Sequence, residues 1–333
     1  MSRPPRLLGA SLALAALLAA SACAGSGTDD EAEAATGGWS FTDDVGTTVE
    51  LDAAPERVAG LNDVASSLWN LGIEPVATFG QTSAADDVQF EGRDLDGVEI
   101  AGESYGQIDL EALAAADPDL IVTTVYPVDS EGTLDDTQPL YGFESLEQQE
   151  QVARIAPVVA IAWRGSAADV IERTAELAEA LGADVDGDEV SAARQDYEDA
   201  SAALTEAASS GVTVLPVAAY PDEGFYVAKA NDDPSLRLYQ DLGVQFVDPG
   251  GDGYFWQTAS WEQVPQYRSD VILYSLRGAM TPEEMAGQPT YGLLPAAQAQ
   301  QVYPWEYVGM DYAAQARYME RLAGWLADSD KVS

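Results

Sequence analysis

Histidine is absent from the 333 residues, and cysteine occurs once. Without imidazole the chain lacks the nitrogen ligand that bare zinc or manganese sites rely on, and the usual general base of a hydrolytic triad. The lone cysteine, Cys23, permits no internal disulfide, so stability has to come from burial. Positive charge is scarce as well: 15 Lys and Arg stand against 57 Asp and Glu, a formal net charge of −42. Such a surface repels nucleic acid and anionic lipid headgroups, and disfavours highly anionic ligands unless a local cationic pocket overrides it. The same charge also serves to keep a secreted protein soluble. No phosphate-cradling glycine loop is present. Paired carboxylates are too abundant in so acidic a chain to mark a glycosidase site. These absences argue against an enzyme. After the amino-terminal stretch, no apolar run is long enough to span a bilayer.

That stretch is the first positive signal. Arg3 and Arg6 precede an uncharged apolar run from Leu7 to Ala20, followed by small residues and Cys23, the order of a secretion signal. Leu17-Leu18-Ala19-Ala20-Ser21-Ala22-Cys23 resembles a lipobox, in which the signal is cut before the cysteine and the sulfur carries a diacylglycerol. Residues 1–22 are therefore expected to be a lipoprotein signal peptide, and residues 23–38 an acidic flexible tether. The location implied is extracytoplasmic, with a lipid on Cys23 anchoring the chain to the cell membrane.

From Trp39 the pattern alternates apolar and polar residues around Asp43 to Gly46, which predicts a hairpin. Strands and helices then alternate: strands near Val58 to Leu61, Pro75 to Phe79, Val98 to Ala101 and Leu120 to Thr124, and helices near Val64 to Leu71 and Leu110 to Ala116. This rhythm is α/β. An internal repeat doubles it. Glu111 to Thr123, with Asp119 before its strand, aligns with Glu262 to Tyr274, with Asp270 before its strand; upstream, Leu71-Gly72-Ile73 is echoed by Leu242-Gly243-Val244. Two Rossmann-like lobes follow, over residues 39–186 and 210–333, with a ligand cleft between them. Between the copies, Ser166 and Asp169 are placed to cap a helix that Gly182 stops. A second helix is expected from Asp188 to Ala208, with Val190, Ala193, Tyr197, Ala200, Leu204 and Ala207 on one face. At 1.5 Å per residue it is about 30 Å long, enough to join two lobes as a stiff strut over residues 187–209, the alternative being an ordinary surface helix of one lobe.

Taken together, Asp44-x-Gly46, Pro55-Glu56-Arg57-Val58, Asp109-Leu110-Glu111 with Pro118-Asp119-Leu120-Ile121-Val122, and Ser260-Trp261-Glu262-Gln263-Val264 carry a resemblance. The chain resembles the helical-backbone solute-binding lipoproteins of siderophore and cobalamin ABC importers from Trp39 to Leu326, and within them the binders of iron(III)-hydroxamate siderophores. The resemblance implies that Glu111 and Glu262, one per lobe, dock into arginine-lined sockets of a permease dimer; their spacing also fits two glutamates that merely favour the starts of their helices. It implies a cleft walled by Tyr126, Trp256, Trp305 and Tyr307, with Trp256 closing the aromatic triplet Tyr254-Phe255-Trp256. Broad apolar faces with polar tips suit a greasy shell around a chelated metal. Tyr105 stands where hydroxamate binders place an arginine, so either Tyr105 makes a weaker contact to the iron-bound oxygens or Arg164 or Arg277 replaces it. No cofactor is implied, iron entering only within the ligand, and a monomer is expected. Cobalamin or haem binding by the same architecture, or an adhesive or enzymatic acidic surface lipoprotein, are the alternative readings.

Overall fold

The computed structural model describes residues 38–277 and 279–333. The signal segment, Cys23 and the tether up to residue 37 lie outside the described residues.

The amino-terminal hairpin, β1 (Trp39–Thr42) and β2 (Thr48–Leu51), forms where the alternation placed it. Its turn is built by the carboxylate of Asp43, which accepts from the backbone N–H of Val45 at 3.1 Å and of Thr47 at 2.7 Å. The next aspartate, Asp44, accepts from Ala162 N–H at 2.7 Å and clips the hairpin to the first lobe.

That lobe follows as β3 (Val58–Leu61), α1 (Asn62–Asn70), β4 (Ala77–Phe79), β5 (Glu99–Ile100), α2 (Leu110–Ala115), β6 (Leu120–Val125), α3 (Leu146–Val152), β7 (Val158–Ala162) and α4 (Ala167–Ala180). Its five strands are all parallel in the order β5-β4-β3-β6-β7. Every residue of β3 and β6 is buried, as expected of parallel strands covered on both faces. The predicted capping box of α4 is present, Ser166 and Asp169 each satisfying the other's backbone, and Gly182 follows in the left-handed region.

The second lobe comprises β8 (Thr213–Tyr220), β9 (Gly224–Ala228), α6 (Pro234–Asp241), β10 (Gln245–Phe246), β11 (Trp256–Ala259), β12 (Val271–Ser275), α7 (Pro282–Met285), α8 (Pro295–Gln298), β13 (Val302–Trp305) and α9 (Tyr312–Asp328), with α5 (Asp188–Ala208) preceding them. The sheet runs β11-β9-β8-β12-β13, with β10 also paired to β8. It departs from a plain copy of the first lobe through β9, which runs antiparallel to both neighbours.

The repeat is nonetheless structural. Helices α1 and α6 both stop at a leucine followed by a glycine in the left-handed region, Gly72 at φ 100° and Gly243 at φ 103°. The two aspartates perform one job: Asp119 accepts from the N–H groups of Glu56 and Arg57, just before β3, and Asp270 accepts from that of Thr213, the first residue of β8. Each ties the amino end of one strand to its parallel neighbour.

Helix α5 has the expected extent and buries Val190, Ala200, Leu204 and Ala208. It is braced along α9 of the second lobe, where Tyr197 meets Tyr312 edge-on at 5.6 Å between ring centroids. One hydrophobic cluster runs through both lobes, from Val58 and Leu68 to Val214 and Leu273. Polar contacts also cross: Met310 N–H donates to Ser67 Oγ at 2.8 Å, and Asn70 Nδ2 to Asp311 Oδ2 at 3.0 Å.

Candidate functional site

Both sheets send the carboxyl ends of parallel strands toward a shared crevice, the position where open α/β sheets hold ligands. A cavity of about 430 Å³ opens there. The first lobe contributes Gln81 beyond β4, Tyr126 beyond β6, and Tyr141; the second contributes Tyr220 at the end of β8, the Tyr254-Phe255-Trp256 triplet, Ser275 and Arg277 at the end of β12, and Tyr307 beyond β13.

The rings support one another. Tyr126 meets Tyr141 edge-on at 4.8 Å and Trp163 at 5.7 Å. Trp256 meets Trp305 edge-on at 5.8 Å, and Trp305 stacks on Tyr307 at 4.9 Å. The triplet is held by a tight turn: Trp256 N–H donates to Tyr254 C=O at 2.6 Å, and Phe255 sits at φ 61°, a region that costs a side-chain-bearing residue energy. Asp232 holds it there by accepting from Phe255 N–H at 3.0 Å, while Phe255 C=O accepts from Lys229 N–H at 2.8 Å.

The charges are asymmetric. Arg277 pairs across the crevice with Asp63 in the first turn of α1, and Asp63 also accepts from Gln89 Nε2 at 2.8 Å. Burial works against the guanidinium charge, but the paired Asp63 carboxylate outweighs it and pushes the arginine above its ordinary value. One face of the guanidinium lies over the Tyr307 ring, its carbon 4.3 Å from the centroid. Burial raises the Tyr126 and Tyr307 phenols well above the ordinary value and Tyr141 to about 12, so all three remain protonated donors.

Of the residues expected to meet a ligand, Tyr126, Trp256, Arg277 and Tyr307 line this one cavity. Trp305 does not: at 1% exposed it is core, packed behind Trp256 and Tyr307. Trp305 and Tyr307 stack two residues apart, and the later one shields the earlier from the crevice. Tyr105 is 48% exposed and leans on Tyr141 at 5.2 Å, outside the cavity wall. Arg164 lies in a neighbouring cavity with Asp129, Asp232 and Arg237, where it donates to Gly132 C=O at 3.4 Å. Its strand, β7, is the sheet edge, whereas β12, which carries Arg277, is flanked on both sides.

Glu111 and Glu262 are both exposed, and each is the second residue of a short helix. Asp109 caps the first; Ser260 and Gln263 form a capping box on the second, a 3-10 turn over Trp261–Gln266. Hydrogen bonding by Ser260 and the local backbone lowers the Glu262 carboxyl. Sequence reasoning missed Gln81, Tyr141, Tyr220, Ser275 and Asp63. Tyr220 and Ser275 could have been found from their strand ends; Tyr141 sits in a loop without a pattern. Among the described residues no group of three or more His, Cys, Asp or Glu is arranged to hold a bare metal ion.

Two lobes joined by a long helix, with strand ends meeting over an aromatic crevice, define a two-lobed solute-binding protein. The chain belongs to the periplasmic binding protein family, which it matches over residues 69–307. Among solved structures it is similar to DesE, a ferric-siderophore receptor protein from Streptomyces coelicolor, at 32% identity and a TM-score of 0.78, covering 89% of this chain and 100% of that one. It is also similar to the siderophore periplasmic binding protein from the fuscachelin gene cluster of Thermobifida fusca, at 25% identity and a TM-score of 0.58, covering 82% and 97%. A Staphylococcus aureus protein solved with bound ferrioxamine B shares the fold at 18% identity and a TM-score of 0.54, covering 81% and 98%. No curated protein sequence matches significantly.

Proposed function

We propose that this chain captures an iron(III)-siderophore outside the cytoplasm and delivers it to the permease of an ABC importer, and that the ligand is of the hydroxamate type. The carrying observation is the convergence of Tyr126, Trp256, Arg277 and Tyr307 from both lobes on one cavity. Aromatic faces bury the organic shell, while protonated phenols and the Arg277 guanidinium supply donors for hydroxamate oxygens around the metal. The similarity to a ferric-siderophore receptor at 32% identity supports the substrate class.

In this reading the chain divides into a first lobe (39–186), a connecting helix (187–209) and a second lobe (210–333). Tethering by a lipid on Cys23 would keep it at the membrane, and the paired glutamates Glu111 and Glu262 would seat it on two matching basic sockets of the permease dimer. The binding protein needs no cofactor of its own, and it acts as a monomer. With the connecting helix braced on α9, ligand entry is accommodated by a small hinge motion.

Tryptophan fluorescence titrated with a ferric trihydroxamate, a ferric tricatecholate, cobalamin and haemin tests this. The expected result is saturable quenching by the trihydroxamate, largely lost in Trp256→Phe. Quenching by cobalamin or haemin alone would move the chain to that ligand class, and no response to any would remove the capture role.

A further inference from the structure

Among the described residues, one cation lines the crevice, Arg277, and its carboxylate partner Asp63 lies behind it. Arg277 offers five N–H donors, and its side-chain hydrogen bond among the described residues goes to Asp63, leaving donors for a ligand. Asp63 is 2% exposed and Asp233 7% exposed. Asp87 joins the same network: its carboxylate accepts from Asn62 Nδ2 at 3.1 Å and from Gln89 Nε2 at 3.4 Å, and Gln89 in turn donates to Asp63. The guanidinium is fixed on one edge by Asp63 and on one face by the Tyr307 ring. It can therefore direct hydrogen bonds without presenting an unbalanced positive charge. In so acidic a chain, with a net charge of −42, the crevice gains no local cationic field to overcome the global one.

We infer that Asp63 is a specificity-determining residue of the capture site: by neutralising and orienting Arg277 across the two lobes, it admits neutral or cationic ferric chelates and rejects anionic ones. This rests on the chelate-binding reading of the cavity. A site that keeps its arginine unpaired would accept carboxylate or catecholate chelates, whose complexes carry net negative charge. Here the arginine's charge is already taken by Asp63, with Asp87 joined to the same network behind it, so a further anion finds no unbalanced cation. Asp63 touches Arg277 rather than lining the cavity itself, so it acts through the guanidinium and is a positioning residue.

The test is the ratio of dissociation constants for two probes, a neutral ferric trihydroxamate and a ferric tricatecholate of charge about −3, measured by fluorescence quenching and equilibrium dialysis of the iron complex. The wild-type chain should prefer the hydroxamate strongly. Asp63→Asn preserves shape and the acceptor for Gln89 while removing a buried charge, and should shift the ratio toward the catecholate by about tenfold or more, the effect of one unit charge at close range in a partly buried site. A merely structural role for Asp63 would weaken both chelates together and leave the ratio unmoved, which would overturn the inference. Asp87 is less deeply placed and caps the short turn Val88–Phe90 by accepting from Gln89 N–H at 3.1 Å, a cap that Asp87→Asn retains, so this variant should move the ratio in the same direction by a smaller factor. That variant decides the matter should Asp63→Asn fail to fold: an unchanged ratio counts against the inference. If the wild-type chain binds neither probe, it is the chelate-capture reading that fails.

Discussion

The two lobes share a plan at their outer ends and differ at the crevice. Outside, Glu111 and Glu262 occupy the same position on equivalent short helices, and Asp119 and Asp270 tie equivalent pairs of strands. Inside, the first lobe offers Gln81 and two tyrosines, with the buried Asp63 behind them, whereas the second offers an arginine, Tyr220, Tyr307 and a strained aromatic turn. The strand ends that face the frame obey packing and backbone hydrogen bonding, which a repeat can preserve in both copies. Those that face the ligand obey its shape and charge, which has no such symmetry. The antiparallel β9 and β11, found only in the second sheet, bring the triplet to the wall.

The outer equivalence breaks most sharply at the two aspartates. Asp119 is exposed and accepts two backbone N–H groups. Asp270 is 2% exposed and accepts from Thr213 N–H and hydroxyl at 2.9 Å and from the N–H groups of Val332 and Ser333 at 2.7 Å. Burial alone would raise the Asp270 carboxyl; these donors outweigh it and hold it well below the usual carboxylate range. Asp270→Asn turns an amide toward donors and should cost about 3 kcal/mol or more in urea unfolding, against about 1 kcal/mol or less for Asp119→Asn. Equal losses would mean that the second copy carries no extra load. The Asp270 contribution is present above the unfolded value of 3.8 and is lost as pH falls below it.

Asp233 in the second lobe has the opposite pH sign. Burial raises its carboxyl to about 6 although it caps α6 through Leu236 N–H at 2.8 Å. Its folded value exceeds the unfolded one, so its contribution is present below pH 3.8 and is lost as pH rises through about 6. Thermal unfolding should show stability falling by roughly 2–3 kcal/mol across that window from this group. Asp233→Asn, which retains the cap, should flatten that part of the profile; an unaltered slope would place the pH dependence in other acids.

Much of the frame was legible because local rules and tertiary packing agree. The Ser166 and Asp169 box, the Gly182 stop and the alternating face of α5 each depend on neighbours within a turn or two. Tyr126, Trp256 and Tyr307 came to the crevice through the family resemblance, and all three line the cavity. Which of two arginines reaches it depends on strand order, a non-local property: β7 lies at an edge and carries Arg164 away, while β12 sits inside the sheet. Trp305 failed for a finer reason, since stacking two residues apart leaves the nearer ring, Tyr307, to cover the deeper one. Asp63 carries no local signal beyond being an acid in the first turn of a helix; only the meeting of the lobes gives it Arg277.

The smallest expected effects concern how each lobe bends its chain beside the cavity. The first uses Gly142, at φ 93°, immediately after Tyr141; the second uses Phe255, at φ 61°, immediately before Trp256. A Cβ on Gly142 would come 2.9 Å from Leu61 Cδ1 and 3.2 Å from Phe79 Cε2, both rooted in the core. Gly142→Ala therefore adds a left-handed penalty to a crowded contact and should cost about 2 kcal/mol, displacing Tyr141 as well. Phe255→Gly works in the other direction, because it removes strain while deleting a half-buried ring and loosening the unfolded chain. These offset, and the net change in stability should stay within about 1 kcal/mol. Ferric-hydroxamate affinity should nevertheless fall, since Trp256 loses both its neighbour at 5.0 Å and the rigidity of the turn. If Phe255→Gly instead stabilises the protein by more than about 1 kcal/mol with affinity intact, the strain serves neither packing nor the ligand, and the contrast between a permissive glycine in one lobe and a tensed aromatic in the other loses its meaning.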